Sequence, residues 1–435
     1  GRPPDVLVPV VEEAAEHIGE LRVVGTEARL RPRGGRFVLE GVEPGGCVRW
    51  RSDFEALLAD GHDRSIQRVG DSVMVRQSMW LLWPEQVASD AHPRLELRLP
   101  AGVRASVPWA TASPGDRSAQ RSHYVLDATA SRWLGYTAFG ELDIDRFERA
   151  GAEIEIVRLD QAIACDRAGV RRWIVDAVDA VAMLYGSYPR EHLQVIVVPV
   201  EGGDGMVYFG AAVRGGGAGV YLLLDTDAAA ERLPGGWTTV HELLHHGMPF
   251  VEDAWMAEGW VSYYTELMRT RAGHRSEAEG WHELAEAFAR GREGVREATL
   301  QQLSDGMHET HAYQRVYWGG AAIAFEIDIT LRRESDGARG LDDAMRHLRS
   351  CCGDAKRRVS ADAMLAELDR WHGAPIFTQI AARHLAGAEF PDIAELYGRL
   401  GMTMGASTVT LDERHPAAAV RRAIMAPRAQ PSRSP

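Results

Sequence analysis

Residues Trp237 to Tyr264 read W-T-T-V-H-E-L-L-H-H-G-M-P-F-V-E-D-A-W-M-A-E-G-W-V-S-Y-Y, and the rest of the chain is read outward from them. His241, Glu242 and His245 form the pattern H-E-x-x-H. Histidines four apart on a helix lie on one face, one turn apart. Two imidazoles so placed can grip one Zn²⁺, with Glu242 beside them to work on a water. Glu258 follows in W-M-A-E-G-W and is the natural third ligand, because catalytic zinc takes three protein ligands and keeps one position open. The local context supports a helix here. Val240, Leu243 and Leu244 can pack, Pro234, Gly235 and Gly236 precede the motif, and Gly247 and Pro249 end it. The implied cofactor is one Zn²⁺ ion.

The 435 residues suffice for two or three domains, and 45% hydrophobic residues is ordinary for a globular protein. No apolar run reaches the ~18 residues of a membrane span. The net charge of −13 argues against nucleic acid or an anionic membrane as the main partner. The first residue is Gly1, which reads as a trimmed start, by removal of an export signal or as a tag scar. Lys356 is the only lysine and asparagine is absent, which we read as genome composition bias. Cys47, Cys165, Cys351 and Cys352 make no C-x-x-C, so a thiolate zinc site or thioredoxin-type chemistry is not expected. Adjacent cysteines are poorly placed for an ordinary disulfide, and free thiols are expected.

Residues 1 to about 165 read mostly as β structure. Arg94 to Leu99 alternates as R-L-E-L-R-L, and Arg36 to Glu40, Ser72 to Val75 and Ala152 to Leu159 give similar segments. Turn signals stand at Gly34-Gly35, Pro44-Gly45-Gly46 and Pro114-Gly115. Helical pieces are expected near Val10 to Leu21 and Asp53 to Asp60. Trp80, Trp83 and Trp109 read as core or interface residues. From Asp166 the pattern changes. Arg167 to Tyr185 carries a helical apolar stripe, Leu193 to Val198 is a buried strand, and Met206 to Val213 and Val220 to Leu224 are further strands around the glycine run Gly215-Gly216-Gly217. Helices are expected over Met256 to Ala272, Ser276 to Gly291, from near Tyr317, and at Leu341 to Leu348, Ala361 to Trp371, Ile376 to Leu385 and Asp392 to Leu400. His308, Glu309 and His311 have the wrong spacing for H-E-x-x-H and read as solvated loop residues. The segment from about Ala417 reads as a poorly ordered tail.

Together these residues resemble the gluzincin zinc metallopeptidases, the clan of thermolysin and aminopeptidase N, and within it the glycyl aminopeptidase family. W-M-A-E-G-W-V-S-Y-Y is similar to the clan's W-x-x-E-G, then Phe or Trp, then x-x-Y-Y. Tyr317-Trp318-Gly319-Gly320 looks like the family's Y-x-(R or K)-G, and Ser335 to Arg346, S-D-G-A-R-G-L-D-D-A-M-R, is similar to its N-G-x-x-S-L-D-D-V-M-R. The runs Arg132 to Leu159, Tyr185 to Val198 and Phe377 to Met402 also look familial, so the likeness covers roughly residues 70 to 402.

The resemblance implies a multidomain α+β fold. Residues 1–165 form an N-terminal β-sandwich-like domain, residues 166–402 a thermolysin-like catalytic domain that is mostly helical in its second half, and residues 403–435 a C-terminal extension with a partly disordered tail. It also implies zinc-dependent peptide hydrolysis, aminopeptidase-like, on a peptide substrate, in a secreted or periplasmic protein, with a cytoplasmic one left open. Tyr317 would donate to the oxyanion, with Tyr313 the runner-up, and the backbone at Gly205, Met206 and Val207 would pair with substrate. Asp253, five before Glu258, is a candidate to orient a ligand imidazole.

Four departures stand out. Only 12 residues separate His245 from Glu258, so the connecting loop is clipped. Gly247 replaces an aromatic, and Gly319 replaces a basic residue. Val207 stands where the clan's aminopeptidases carry the glutamate that holds the substrate's amino group, and Glu201 or Asp204 are the possible substitutes. The regulatory PDZ domain of many family members has no counterpart in the sequence. An endopeptidase or specialised amide hydrolase with the same site, and a non-catalytic zinc scaffold, are therefore the alternatives.

Overall fold

The structure is a computed structural model and describes residues 6–9, 12–26, 34–39, 46–61, 65–86, 92–112, 120–126, 135–213, 217–294, 297–353, 358–405 and 408–427. The turns at Pro44-Gly45 and Pro114-Gly115, residues 215–216 of the glycine run and the last eight residues lie outside these.

The described residues divide into two compact units that interleave along the chain. The first comprises Gly1–Phe147, Glu153–Ala164 and His192–Ala228, the second Glu148–Ala152, Cys165–Glu191 and Ala229–Pro435. One boundary at residue 165, as expected from sequence, thus gives way to several crossings. The reason lies in a shared core: Met74 and Ala138 from the N-terminal strands are buried together with Val157, Ile196 and Val198 from later ones.

The first unit is β-rich. A four-stranded antiparallel sheet takes Ile66–Val69, Ser72–Arg76, Tyr136–Gly140 and Arg104–Ser106 in that order. Trp80, Trp83 and Trp109 are buried in its core, and Trp80 Nε1 donates to Thr137 Oγ1 at 2.8 Å. Arg94–Arg98 is a strand with alternating burial, and Asp53 caps the helix Phe54–Ala59 by accepting from Ala56 N. The helix expected near Val10 to Leu21 is replaced by a 3₁₀ turn, Glu12–His17, and a strand, Ile18–Val23. Ala14, Ala15, Ile18 and Leu21 are buried either way, and pairing with Val48–Ser52 decides for the strand.

A five-stranded sheet completes this unit, in the order Asp143–Arg149, Ala152–Arg158, His192–Val200, Gly219–Asp225, Val207–Val213. Its three middle strands are parallel, and the central one, His192–Val200, is mostly apolar and buried along its length, as a strand covered on both faces is. Val207–Val213 pairs antiparallel at the edge, with an irregularity between Val207 and Phe209.

The second unit is helical. Arg167–Tyr185 runs as expected, capped by Asp166 and ended by Gly186 in the left-handed region. Helices follow over Trp237–Leu244, Ala254–Arg271, Glu277–Glu293, Tyr313–Glu334, Leu341–Cys352, Ala361–His372, Ile376–Leu385 and Ile393–Gly398. The helix Ala418–Met425 stands where a tail was expected. It is held by Arg421, which is fully buried and pairs with Glu277 and Glu413.

Ala254–Arg271 and Tyr313–Glu334 are the centre of this unit, and they meet backbone to backbone. A Cβ on Gly320 would lie 1.8 Å from the Trp255 carbonyl oxygen, and one on Gly259 would lie 2.5 Å from Gly320 Cα. Only glycine allows this approach. Beyond the crossing lies a buried charge network. Tyr263 Oη donates to Asp328 at 3.0 Å, and Arg332 Nε donates to the same carboxylate at 2.8 Å. Asp342 accepts from Tyr264 Oη at 2.9 Å and from Arg271 Nη1 at 3.1 Å. Burial works against the Asp342 charge, but the Arg271 and Arg332 guanidinium groups hold its pKa below the usual range.

The crossing predicts an ordering of two neighbouring substitutions. Gly320→Ala should lower the thermal or urea midpoint, costing ~1–3 kcal/mol or more, because backbone must move. Gly319→Ala should cost less, since its Cβ meets only the Leu300 side chain at 3.0 Å. The reverse order, measured by denaturation, would contradict the backbone contact.

Candidate metal centre

The entry to the H-E-x-x-H helix is fixed first. Gly235 takes a φ of +67°, its N–H donates to Asp176 Oδ2 at 2.9 Å, and its carbonyl accepts from Arg269 Nε at 2.6 Å. The helix Trp237–Leu244 then begins, and Thr239 Oγ1 accepts from Trp173 Nε1 at 3.1 Å on its far side. His241 lies on the α-helix, and His245 opens the 3₁₀ turn His245–Gly247 that follows. The one-turn spacing survives this change.

His241 Nε2 and His245 Nε2 lie 3.2 Å apart, and Glu258 Oε2 lies 3.1 Å from the first and 3.3 Å from the second. A tetrahedral ion with bonds of ~2.0 Å holds its ligand atoms ~3.3 Å apart. The three atoms therefore trace one face of such a tetrahedron, and two imidazoles and a carboxylate suit Zn²⁺. The donor set fits the ion that the sequence implies. Burial opposes the Glu258 charge, yet the two imidazoles beside it hold its pKa well below the usual carboxylate range.

His241 is the most constrained member. Its ring stacks on Trp237 at 4.3 Å and lies nearly parallel to Tyr317 at 5.9 Å. Thr265 Oγ1 lies 3.4 Å from His241 Nδ1 and donates its own proton to Val261 O at 2.8 Å. The hydroxyl can therefore only accept from Nδ1–H, which leaves the lone pair on Nε2, facing the other two donors. Thr265 follows Glu258 by seven residues on one helix, two turns along the same face. Its place was hidden from sequence reasoning, which assigned the role to Asp253.

Asp253 does something else. Its carboxylate accepts from Gln301 Nε2 at 3.2 Å and from Ala361 N at 2.7 Å. Together with Glu252 N to Val359 O, at 2.8 Å, it ties the clipped loop to the start of Ala361–His372. The missing aromatic at Gly247 also has an explanation: a Cβ there would lie 2.3 Å from the Tyr185 ring, so Tyr185 already fills the space.

Tyr317 hydrogen-bonds Glu258. Burial raises its pKa far above the usual value, and the Glu258 and Glu242 carboxylates push it further, so the hydroxyl stays a neutral donor. Glu242 directly follows His241 on the same helix. Tyr313 is exposed and its Oη lies 3.3 Å from His308 Nδ1. His308, Glu309 and His311 are exposed, as read from sequence, but His308 and Glu309 lie on the short helix Met307–Thr310 and not in a loop.

In the other unit, Gly205 and Met206 lead into the edge strand that Val207 opens. Asp225 Oδ2 accepts from Gly205 N at 2.8 Å and stabilises that turn, and the backbone bonds from Asp227 and Gly205 lower its pKa. Glu201 and Asp204 are exposed, and Glu201 accepts from Gln161 Nε2 at 3.2 Å. Tyr208 and Phe209 on the strand are also exposed.

No family model matches the sequence, and no curated protein matches it. Solved structures do match. An aminopeptidase N family protein from Idiomarina loihiensis aligns over 93% of this chain and 75% of its own, with a TM-score of 0.67 and 17% identity. An M1 zinc metallopeptidase from Deinococcus radiodurans aligns over 86% of this chain and 85% of its own, with a TM-score of 0.53 and 15% identity. Yeast LTA4 hydrolase aligns over 90% of this chain and 62% of its own, with a TM-score of 0.55 and 12% identity. The chain, a β-rich N-terminal part followed by a helical half, has the fold of the M1 zinc metallopeptidases, that of the aminopeptidase N family protein among them.

Proposed function

We propose that this protein is a zinc-dependent peptidase that uses an activated water, with His241, His245 and Glu258 as the metal ligands. The observation that carries the reading is the triangle of donor atoms with 3.1–3.3 Å edges, on the helix of the H-E-x-x-H pattern and the helix that follows it. Zn²⁺ held there supplies Lewis acidity, lowering the pKa of a water towards ~7 and polarising the scissile carbonyl. Glu242 takes the proton from the attacking water and passes it to the leaving amine. Tyr317 donates to the oxygen on which charge develops, and its raised pKa keeps the proton on the hydroxyl for that purpose. Thr265 holds the His241 tautomer. The backbone at Gly205, Met206 and Val207 pairs with extended substrate, and Tyr313, exposed near Tyr317, offers a further contact. A mutant of the Deinococcus radiodurans enzyme has been solved with a Tyr-Ser-Ala substrate, which supports a peptide as the class here as well.

Aminopeptidase action is the first reading within this class. One observation favours a second, endopeptidase or specialised amide hydrolysis: Val207 opens the edge strand where a carboxylate for the amino terminus would stand. A panel of peptides with free and blocked amino termini separates the two. Cleavage only of free termini supports the first, and equal cleavage of both supports the second.

Glu242→Gln should retain zinc and lose turnover by ~10²–10⁴-fold. Near wild-type hydrolysis by that variant would remove the proposed base. Tyr317→Phe should lower kcat by ~10²-fold with metal content unchanged. Thr265→Val should weaken zinc ~10–100-fold in a chelator competition while the fold persists, and an unaltered affinity would take the tautomer role from Thr265. Chelation should abolish hydrolysis and added zinc restore it.

A further inference from the structure

A second group of metal-ligand side chains lies elsewhere in the helical unit. His347 and Cys351 are four apart on Leu341–Cys352, one turn apart on one face, and Glu367 comes from Ala361–His372. One donor atom from each lies within 4.8 Å of the other two. The His347 ring is already oriented: its Nε2 is 2.7 Å from Glu367 Oε1, and it stacks on Trp371 at 5.3 Å with 20° between planes. Arg370 pairs with the other Glu367 oxygen. Cys351 is exposed while His347 and Glu367 are half-buried, so an ion can reach the group from solvent. This is an arrangement that a helix–helix ion pair alone does not need, because the pair is complete without sulfur.

The sulfur is engaged. Cys351 and Cys352 are bonded to each other as a disulfide between adjacent residues, where sequence reasoning expected free thiols. In that state the group lacks its softest donor. Reduction by a dithiol, which is itself oxidised to its disulfide, delivers two electrons and two protons and leaves two thiols. A cation then displaces the Cys351 thiol proton to water and takes thiolate, neutral imidazole and carboxylate as ligands. Mixed sulfur, nitrogen and oxygen donors with one open position suit Zn²⁺ and Co²⁺ over Mg²⁺ or Ca²⁺. We propose that His347, Cys351 and Glu367 form a second metal site, for a thiophilic divalent cation, that opens when the Cys351–Cys352 disulfide is reduced.

The test uses full-length, metal-stripped protein, Co²⁺ as the probe and a phosphine reductant, which brings no thiol of its own. Sulfur bound to cobalt gives an intense near-ultraviolet charge-transfer band. The His241, His245 and Glu258 group contains no sulfur, and oxidised wild type, which keeps the free Cys47 and Cys165 thiols, supplies the background, so the difference band reports on the second site regardless of whether the peptidase reading holds. Reduced wild type should show the band and oxidised wild type should not. Cys352→Ser leaves Cys351 free and should show it with no reductant. His347→Ala and Glu367→Ala, checked for folding by circular dichroism, should each weaken Co²⁺ binding at this band at least tenfold. Absence of the band from both reduced wild type and Cys352→Ser overturns the proposal, as does a band that survives undiminished in both His347→Ala and Glu367→Ala.

Discussion

The helical unit depends on one steric fact. Two helices come together at Gly259 and Gly320 with no side chain between them, and the Trp255 carbonyl occupies the place of a Gly320 Cβ. Glu258 is the residue before one glycine, and Tyr317 lies three before the other. Close approach of the backbones is therefore what lets a carboxylate on one helix meet a hydroxyl on the next.

The charged residues beyond the crossing serve the same arrangement. Two tyrosines, two aspartates and two arginines are buried and bonded to one another, with Arg332 Nη2 facing Asp342 only at ion-pair distance, 3.8 Å, and removing one would strand another in a medium that cannot solvate it. Gly340 belongs to this set because a Cβ there would press on the Arg332 guanidinium at 2.7 Å. This gives physical content to two of the familial stretches. Tyr263 and Tyr264 end the one that carries Glu258, and Asp342 lies in the one from Ser335 to Arg346, so the two motifs are halves of one network.

The donor atoms were legible in the sequence because they sit close together along it, with a helical repeat to show how they face. Helix starts were legible for the same local reason: Asp53, Asp166, Ser276 and Asp392 all accept from the backbone of the turn they begin. What failed were long-range choices. Asp253 has the composition of a metal-site helper, but Ala361 N, 108 residues on, takes its carboxylate. Val10 to Leu21 fits a helical spacing, but a partner strand near Val48 wins. The arginines after Ala417 look like those of a solvated tail, but Arg421 is buried in a helix by its pairing with Glu277, 144 residues earlier, and with Glu413. Thr265 was hidden because a mid-helix threonine carries no signal unless the imidazole beside it is already known.

The C-terminal helix has a consequence for the birth of the protein. Arg271 ends the helix that carries Glu258, and its guanidinium is completed by the Ile424 carbonyl at 2.9 and 2.6 Å, 153 residues later. A ribosome adding ~5–20 residues per second leaves that partner missing for on the order of ten seconds. Asp342, 71 residues after Arg271, arrives sooner and neutralises the charge, but the backbone acceptor comes only with the last helix. The nascent chain thus holds its ligand residues early and the closing brace of their scaffold late. During that interval the half-built core is what a chaperone would meet.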